Sequence, residues 1–93
     1  MAGKYFHIGF NWVGIPKLKE LEPVIGVYAV DWIRYGAAGW IVYTYYEMQN
    51  LTAALQPLLG PNDHMLIFEI VTPAVSNGWM PKWVWDWLTK FRF

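Results

Sequence analysis

Cysteine is absent from this chain, which removes disulfides, thiol nucleophiles and cysteine-ligated metals together. A reducing interior suits such a chain, and a cytoplasmic protein is expected. A charge excess of either sign is also absent, because seven basic residues cancel seven acidic ones. Phosphate-binding surfaces ordinarily carry a basic excess, so any nucleic-acid affinity is expected to be weak and salt-sensitive. Serine is nearly missing: Ser76, in a loop-like stretch, is the single example. No glycine-rich phosphate loop and no zinc-ligand spacing occurs. Long uninterrupted apolar runs are lacking too. The nearest approach, VIGVYAVDWIRYGAAGWIVYTYY over 24–46, is broken by Asp31 and Arg34. Charges near mid-bilayer are costly, so no membrane span is expected. The opening MAGKYFHIGF has neither the long apolar stretch nor the cleavage site of a signal peptide.

What the chain has in quantity is aromatic surface. Seven Trp, six Tyr and five Phe occur in 93 residues, and 56% of the chain is hydrophobic. That length makes one small domain, expected over residues 1–93. Its apolar content exceeds what one small core hides, so some of it is expected to meet a partner.

Residues 4–12, KYFHIGFNW, alternate: Phe6, Ile8, Phe10 and Trp12 point one way and Tyr5, His7, Gly9 and Asn11 the other. This predicts a strand with one strongly apolar face. Pro16 suits a helix start, and Leu18, Leu21, Ile25 and Tyr28 recur at helical spacing, with Pro23 expected to kink or restart the helix. Two strands follow at about 29–35 and 39–45, with Gly36 to Gly39 as their turn. Leu51, Leu55, Leu58 and Leu59 share a face of a second helix over 47–59. Asn50-Leu51-Thr52 fits a glycosylation sequon but reads as ordinary helix sequence. HMLIFEIV, 64–71, is the last strand. Leu66, Phe68 and Ile70 lie on one side, taken as the side of Phe6, with Met65, Ile67, Glu69 and Val71 on the other. TPAVSNG reads as a loop, and a terminal helix is expected over about 81–91. The order β-α-β-β-α-β predicts an α+β, ferredoxin-like split βαβ, a two-layer sandwich with an additional C-terminal helix and sheet order 4-1-3-2.

Within that order KYFHIGFNW, GWIVYT, LTAALQPLLGPNDHMLIFEIV and GWMPKWVWDWL together resemble the SinR-like group of small bacterial and phage proteins. These are related to the small CRISPR-associated nuclease subunit of spacer acquisition. The resemblance covers roughly residues 4–90 and implies a ferredoxin-like fold and a homodimer. In the nuclease relatives an aspartate ends the first strand and helps hold a divalent metal across the dimer axis. The matching residue here is Asn11. A neutral amide binds a hard cation weakly and does not offset its charge. The resemblance therefore implies the strand without its metal anchor.

Other residues would have to carry any chemistry. In the inferred sheet His7 and Glu69 face the same way on neighbouring strands. Such a pair would serve in acid–base catalysis, or simply satisfy itself as a cross-strand polar pair. Asp63 and His64 are adjacent in a turn, a weak metal signal beside an ordinary turn role. The candidates, were the protein an enzyme, are His7, Glu69 and Asn11. No metal site or cofactor is expected; a divalent metal such as magnesium enters only with the nuclease alternative.

At the terminus, helical spacing puts Met80, Trp83, Val84, Trp87, Leu88 and Phe91 on one packed face and Trp85 outside it. An exposed Trp is a common interface anchor. The sheet face away from the two helices would carry Tyr5, His7, Met65, Ile67 and Val71, to be covered by the tail or by a second chain. Trp85, Trp79, Tyr5, Met65 and Ile67 are thus the expected partner-binding residues. The expectation is a non-catalytic interaction module acting as a homodimer with a protein partner. The alternative is a nucleic-acid-binding relative of the nuclease subunit with weak metal-dependent activity.

Overall fold

A computed structural model describes residues 3–71 and 78–90. Strand β1 spans Lys4–Asn11, helix α1 Leu18–Tyr28, β2 Ala29–Arg34, β3 Gly39–Thr44, α2 Met48–Leu55, β4 His64–Ile70 and α3 Lys82–Leu88. The loop expected over 72–78, apart from Gly78, lies outside the described residues, as does Phe91. The four strands form one sheet in the order β2-β3-β1-β4, with every neighbouring pair antiparallel. This is the expected ferredoxin-like split βαβ, with α3 added.

The hydrophobic pattern explains the two layers. Phe6, Ile8, Phe10, Trp40 and Val42 project from one sheet face onto Leu21 and Ile25 of α1 and Leu51 and Leu55 of α2, and all nine are buried together. α1 runs unbroken through Pro23, which lies at the solvent-facing side where a lost backbone bond leaves a carbonyl to water. α2 opens on a reciprocal cap: the Glu47 backbone N–H donates to Asn50 Oδ1, and the Glu47 side chain accepts the Asn50 backbone N–H. Asn50 therefore has a structural task. The helix expected to reach residue 59 stops at Leu55 and tightens into a 3₁₀ turn, Gln56–Leu58, around Pro57, which lacks the N–H for another α-helical bond.

The second face carries a second core. Tyr5, Ile33, Ile41 and Tyr43 are buried against Val84 and Leu88 of α3. β3 is thus covered on both faces, and all six of its residues are buried. A register shift between Ala29 and Asp31 marks a bulge in β2. The bulge turns the Asp31 carboxylate toward α3, where it accepts hydrogen bonds from Trp87 Nε1 at 3.1 Å and Lys90 Nζ at 3.0 Å. The Tyr5 hydroxyl donates to the Trp87 carbonyl at 3.4 Å, and the two rings meet edge to face. The tail is therefore docked on its own sheet.

Two expected orientations are corrected here. The first concerns the tail. Val84 and Leu88 set the centre of its buried stripe, with Met80, Trp85 and Trp87 flanking it, while Trp83 is 52% exposed. At about 100° per residue, Trp83 falls roughly 120° from that centre and Trp85 roughly 80°. The helix is rolled so that Trp83 takes the outward place expected of Trp85. The second concerns β4. Phe6 pairs with Glu69 and His7 with Phe68. Paired residues share a face, so Met65, Ile67 and Glu69 lie on the α1/α2 side and Leu66, Phe68 and Ile70 on the other. Met65 and Ile67 pack against the first core instead of forming a free face. Both sides of β4 are apolar, and the side next to α2 takes the thinner, more flexible Met65 and leaves Phe68 outside.

Candidate functional site

α3 covers only part of the second sheet face. Beyond it, toward the Asn11 end of β1, a shallow groove of about 550 Å³ stays open, with His7, Gly9, Asn11, His64, Leu66 and Phe68 among its lining. Leu66 is 59% and Phe68 55% exposed. Gly9 gives the groove its depth: a Cβ there would rise into it, 3.4 Å from the His7 ring.

His7 forms one wall. Its Nε2 shares a hydrogen bond with the Tyr35 hydroxyl, and its ring lies 6.5 Å from that of Phe68. Burial pushes the His7 pKa down, so the neutral imidazole is favoured, and burial pushes the Tyr35 phenol up, so it keeps its proton. Tyr35 in turn lies flat over Gly39, where a Cβ would come within 2.5 Å of the phenol ring. Gly39 is thus the seat of Tyr35, a close approach that sequence alone does not announce.

Glu69 is not in this site. It projects from the opposite face of β4, so the His7–Glu69 pair expected from the sequence is not formed. His7 faces Phe68, and among the described residues the groove lining offers two imidazoles, of His7 and His64, and the Asn11 amide within an otherwise apolar trough.

Asn11 pairs with His64 across the far end. Asp63, the nearest carboxylate in sequence, is engaged elsewhere. Its oxygens accept the backbone N–H of Val13 at 3.0 Å and of Gly60 at 2.9 Å, with Lys17 at 3.5 Å. Those two backbone bonds, helped by Lys17 and opposed by burial, hold its pKa below the usual carboxylate range. The Asn62-Asp63 turn therefore ties the chain after β1 to the start of β4. A neutral amide beside an imidazole is a poor donor set for a hard divalent cation. Among the described residues, no group of three or more His, Asp or Glu side chains is placed to hold a metal ion.

The remaining expected contact residues divide. Tyr5 is fully buried beneath α3, and Trp85 packs against the second core with its ring 3.9 Å from where a Gly78 Cβ would sit. Trp79 is 99% exposed. Leu66, Phe68, Tyr35 and Trp83 were missed as surface residues. The register of β4 reveals Leu66 and Phe68, the roll of α3 reveals Trp83, and the close approach at Gly39 places Tyr35.

Five basic residues are committed to acidic partners: Lys4 to Glu47, Lys17 to Asp63, Arg34 to Glu22, Lys82 to Asp86 and Lys90 to Asp31. Among the described residues, no helix is long and apolar enough to cross a membrane. Compared with protein-family models, with curated proteins and with solved structures, the chain finds no match.

Proposed function

We propose that the protein is a non-catalytic interaction module that acts as a homodimer through the uncovered half of its sheet. The observation that carries this reading is the half-exposed pair Leu66 and Phe68 beside an apolar groove that α3 leaves open. Apolar surface left in water forgoes about 25 cal/mol per Å², so a second chain has a strong reason to cover it. Trp79 and Trp83, four residues apart and exposed, are suited to anchor a further protein partner. The resemblance to the SinR-like group supports the same reading, since it implies homodimers and, with Asn11 in place of the aspartate, no metal anchor.

The nucleic-acid alternative needs free positive charge and a carboxylate beside Asn11. Among the described residues, Lys4, Lys17, Arg34, Lys82 and Lys90 sit in ion pairs, and the Asp63 carboxylate, next to His64 in sequence, is held by backbone N–H groups. These observations favour the protein-binding reading.

Light scattering at micromolar concentration tests it. Wild-type protein is expected at twice the 10.9 kDa chain mass. Phe68→Asp places a charge in the groove without touching either core, so it is expected to give the single-chain mass with an almost unchanged melting temperature. A wild-type protein of single-chain mass across the micromolar range would contradict the homodimer.

A further inference from the structure

Among the described residues β4 is an edge strand, and the register shows which of its backbone groups point outward from the sheet. The Phe10 N–H donates to the Ala38 carbonyl at 2.9 Å, so Phe10, Ile8 and Phe6 turn their backbone groups toward β3. The alternate residues Tyr5, His7, Gly9 and Asn11 therefore bond to β4, where they pair with Ile70, Phe68, Leu66 and His64. By the same alternation, the N–H and C=O groups of Met65, Ile67 and Glu69 point outward from the sheet.

The two sheet edges differ in protection. β2 has a bulge and carries Asp31 and Arg34, devices that discourage further pairing. β4 has an unbroken register, no proline and no basic residue, and Glu69 is its one acidic side chain. Such an edge, with Leu66 and Phe68 half exposed on its groove side, is a template for another strand.

We infer that the occupant is β4 of a second copy, paired antiparallel about a two-fold axis at Ile67, which joins the two sheets into one of eight strands. The inference rests on the homodimer reading and specifies its geometry. In this register the outward groups of Met65 and Glu69 meet those of the partner's Glu69 and the partner's Met65, and Ile67 meets its own copy. Leu66 falls opposite the partner's Phe68 in the closely spaced, non-hydrogen-bonded position. Two copies of this neutral chain approach without net repulsion. Sliding by one repeat in one direction would set Glu69 against the partner's Asp63, like charges that oppose pairing. Sliding the other way would leave His64 and Met65 beyond the end of the partner's strand. The central register alone pairs all seven residues, and it closes each groove with the partner's Leu66 and the partner's Phe68.

The chain has no cysteine, so introduced thiols report the register directly. Leu66→Cys and Phe68→Cys are prepared separately, both at exposed positions where folding is retained. The non-hydrogen-bonded pair spacing, about 4.5 Å between Cα atoms, falls within the range of about 4.4–6.8 Å that a disulfide spans. On mild oxidation the mixed sample is expected to cross-link at least tenfold faster than either variant alone, giving a covalent dimer with one chain of each. Self-linking of Leu66→Cys or of Phe68→Cys at the mixed rate would overturn the register. Absence of cross-linking in samples that scatter light as dimers would overturn the edge pairing and leave the homodimer intact. Single-chain mass throughout would remove both.

Discussion

Trp87→Ala is expected to lower the melting temperature by more than about 10 °C, whereas Trp83→Ala leaves it within about 3 °C of wild type. The two residues are one helical turn apart, yet their surroundings differ sharply. Trp87 packs on Tyr5, donates to Asp31 and offers its carbonyl to the Tyr5 hydroxyl. Deleting a buried Trp costs about 3–5 kcal/mol, and its partly buried position puts Trp87 near the low end of that range. At roughly 4–8 °C per kcal/mol for a domain of this size, the loss is easily seen. Trp83 is 52% exposed and belongs to neither core, so its removal falls within the roughly 0.5 kcal/mol typical of surface changes. Thermal melts of the two variants side by side check the roll of α3. Equal losses would mean that the tail docks through a different face.

Asp31→Ala is expected to be the second large effect, and acid should reproduce part of it. The carboxylate gathers Trp87 Nε1, Lys90 Nζ and the Trp32 backbone N–H at 2.9 Å. Removing it strands the indole N–H and frees the end of α3, at about 1–3 kcal/mol. The carboxylate is partly open to solvent, which keeps the value toward the lower end. Burial tends to raise the Asp31 pKa, but the hydrogen bonds from Lys90, Trp87 and the Trp32 backbone, with the Lys90 charge, outweigh it and hold the pKa below its ordinary value. A depressed pKa means that the folded state binds its proton later than the unfolded state. The stabilisation is complete above the ordinary carboxylate value of about 3.9 and is lost as pH falls through the lower, folded-state value. The gap in melting temperature between wild type and Asp31→Ala should narrow as pH falls from 7 to 3, with the narrowing confined to the acid end. A gap that stays constant over that range would show that the Asp31 charge is not what holds the tail.

The alternation of KYFHIGFNW, the helical spacing of Leu18, Leu21 and Ile25, and the turn at 36–39 all carry local signals strong enough to place the fold. What alternation does not carry is which side of a doubly apolar strand faces the helices. In β4, Leu66, Phe68 and Ile70 look as suited to the interior as Met65 and Ile67. Pairing with β1 decides, and that pairing is a long-range fact. The tail shows the same limit. Three of every four consecutive residues in KWVWDWL are aromatic or aliphatic, which lets the helix roll without losing an apolar stripe, and Asp31, fifty-six residues earlier in sequence, selects the roll through Trp87. Of the groove lining, the sequence singled out His7, Asn11 and His64. Gly9 shapes it by lacking a side chain, and Gly39 seats the Tyr35 ring that bonds to His7, so neither glycine leaves a periodic trace. Asp63 was legible as a turn residue because an aspartate before a strand readily captures backbone N–H groups.

Whether chains associate through the uncovered half-sheet is most directly read by two-dimensional amide NMR over a dilution series from high to low micromolar concentration. Association through that surface predicts concentration-dependent shifts at residues 7–11, 35–38 and 64–71, with the outward amides of Met65, Ile67 and Glu69 among the largest, and little change over α1 and α2. Spectra that do not change with concentration, or changes confined to the outer faces of α1 and α2, would contradict it.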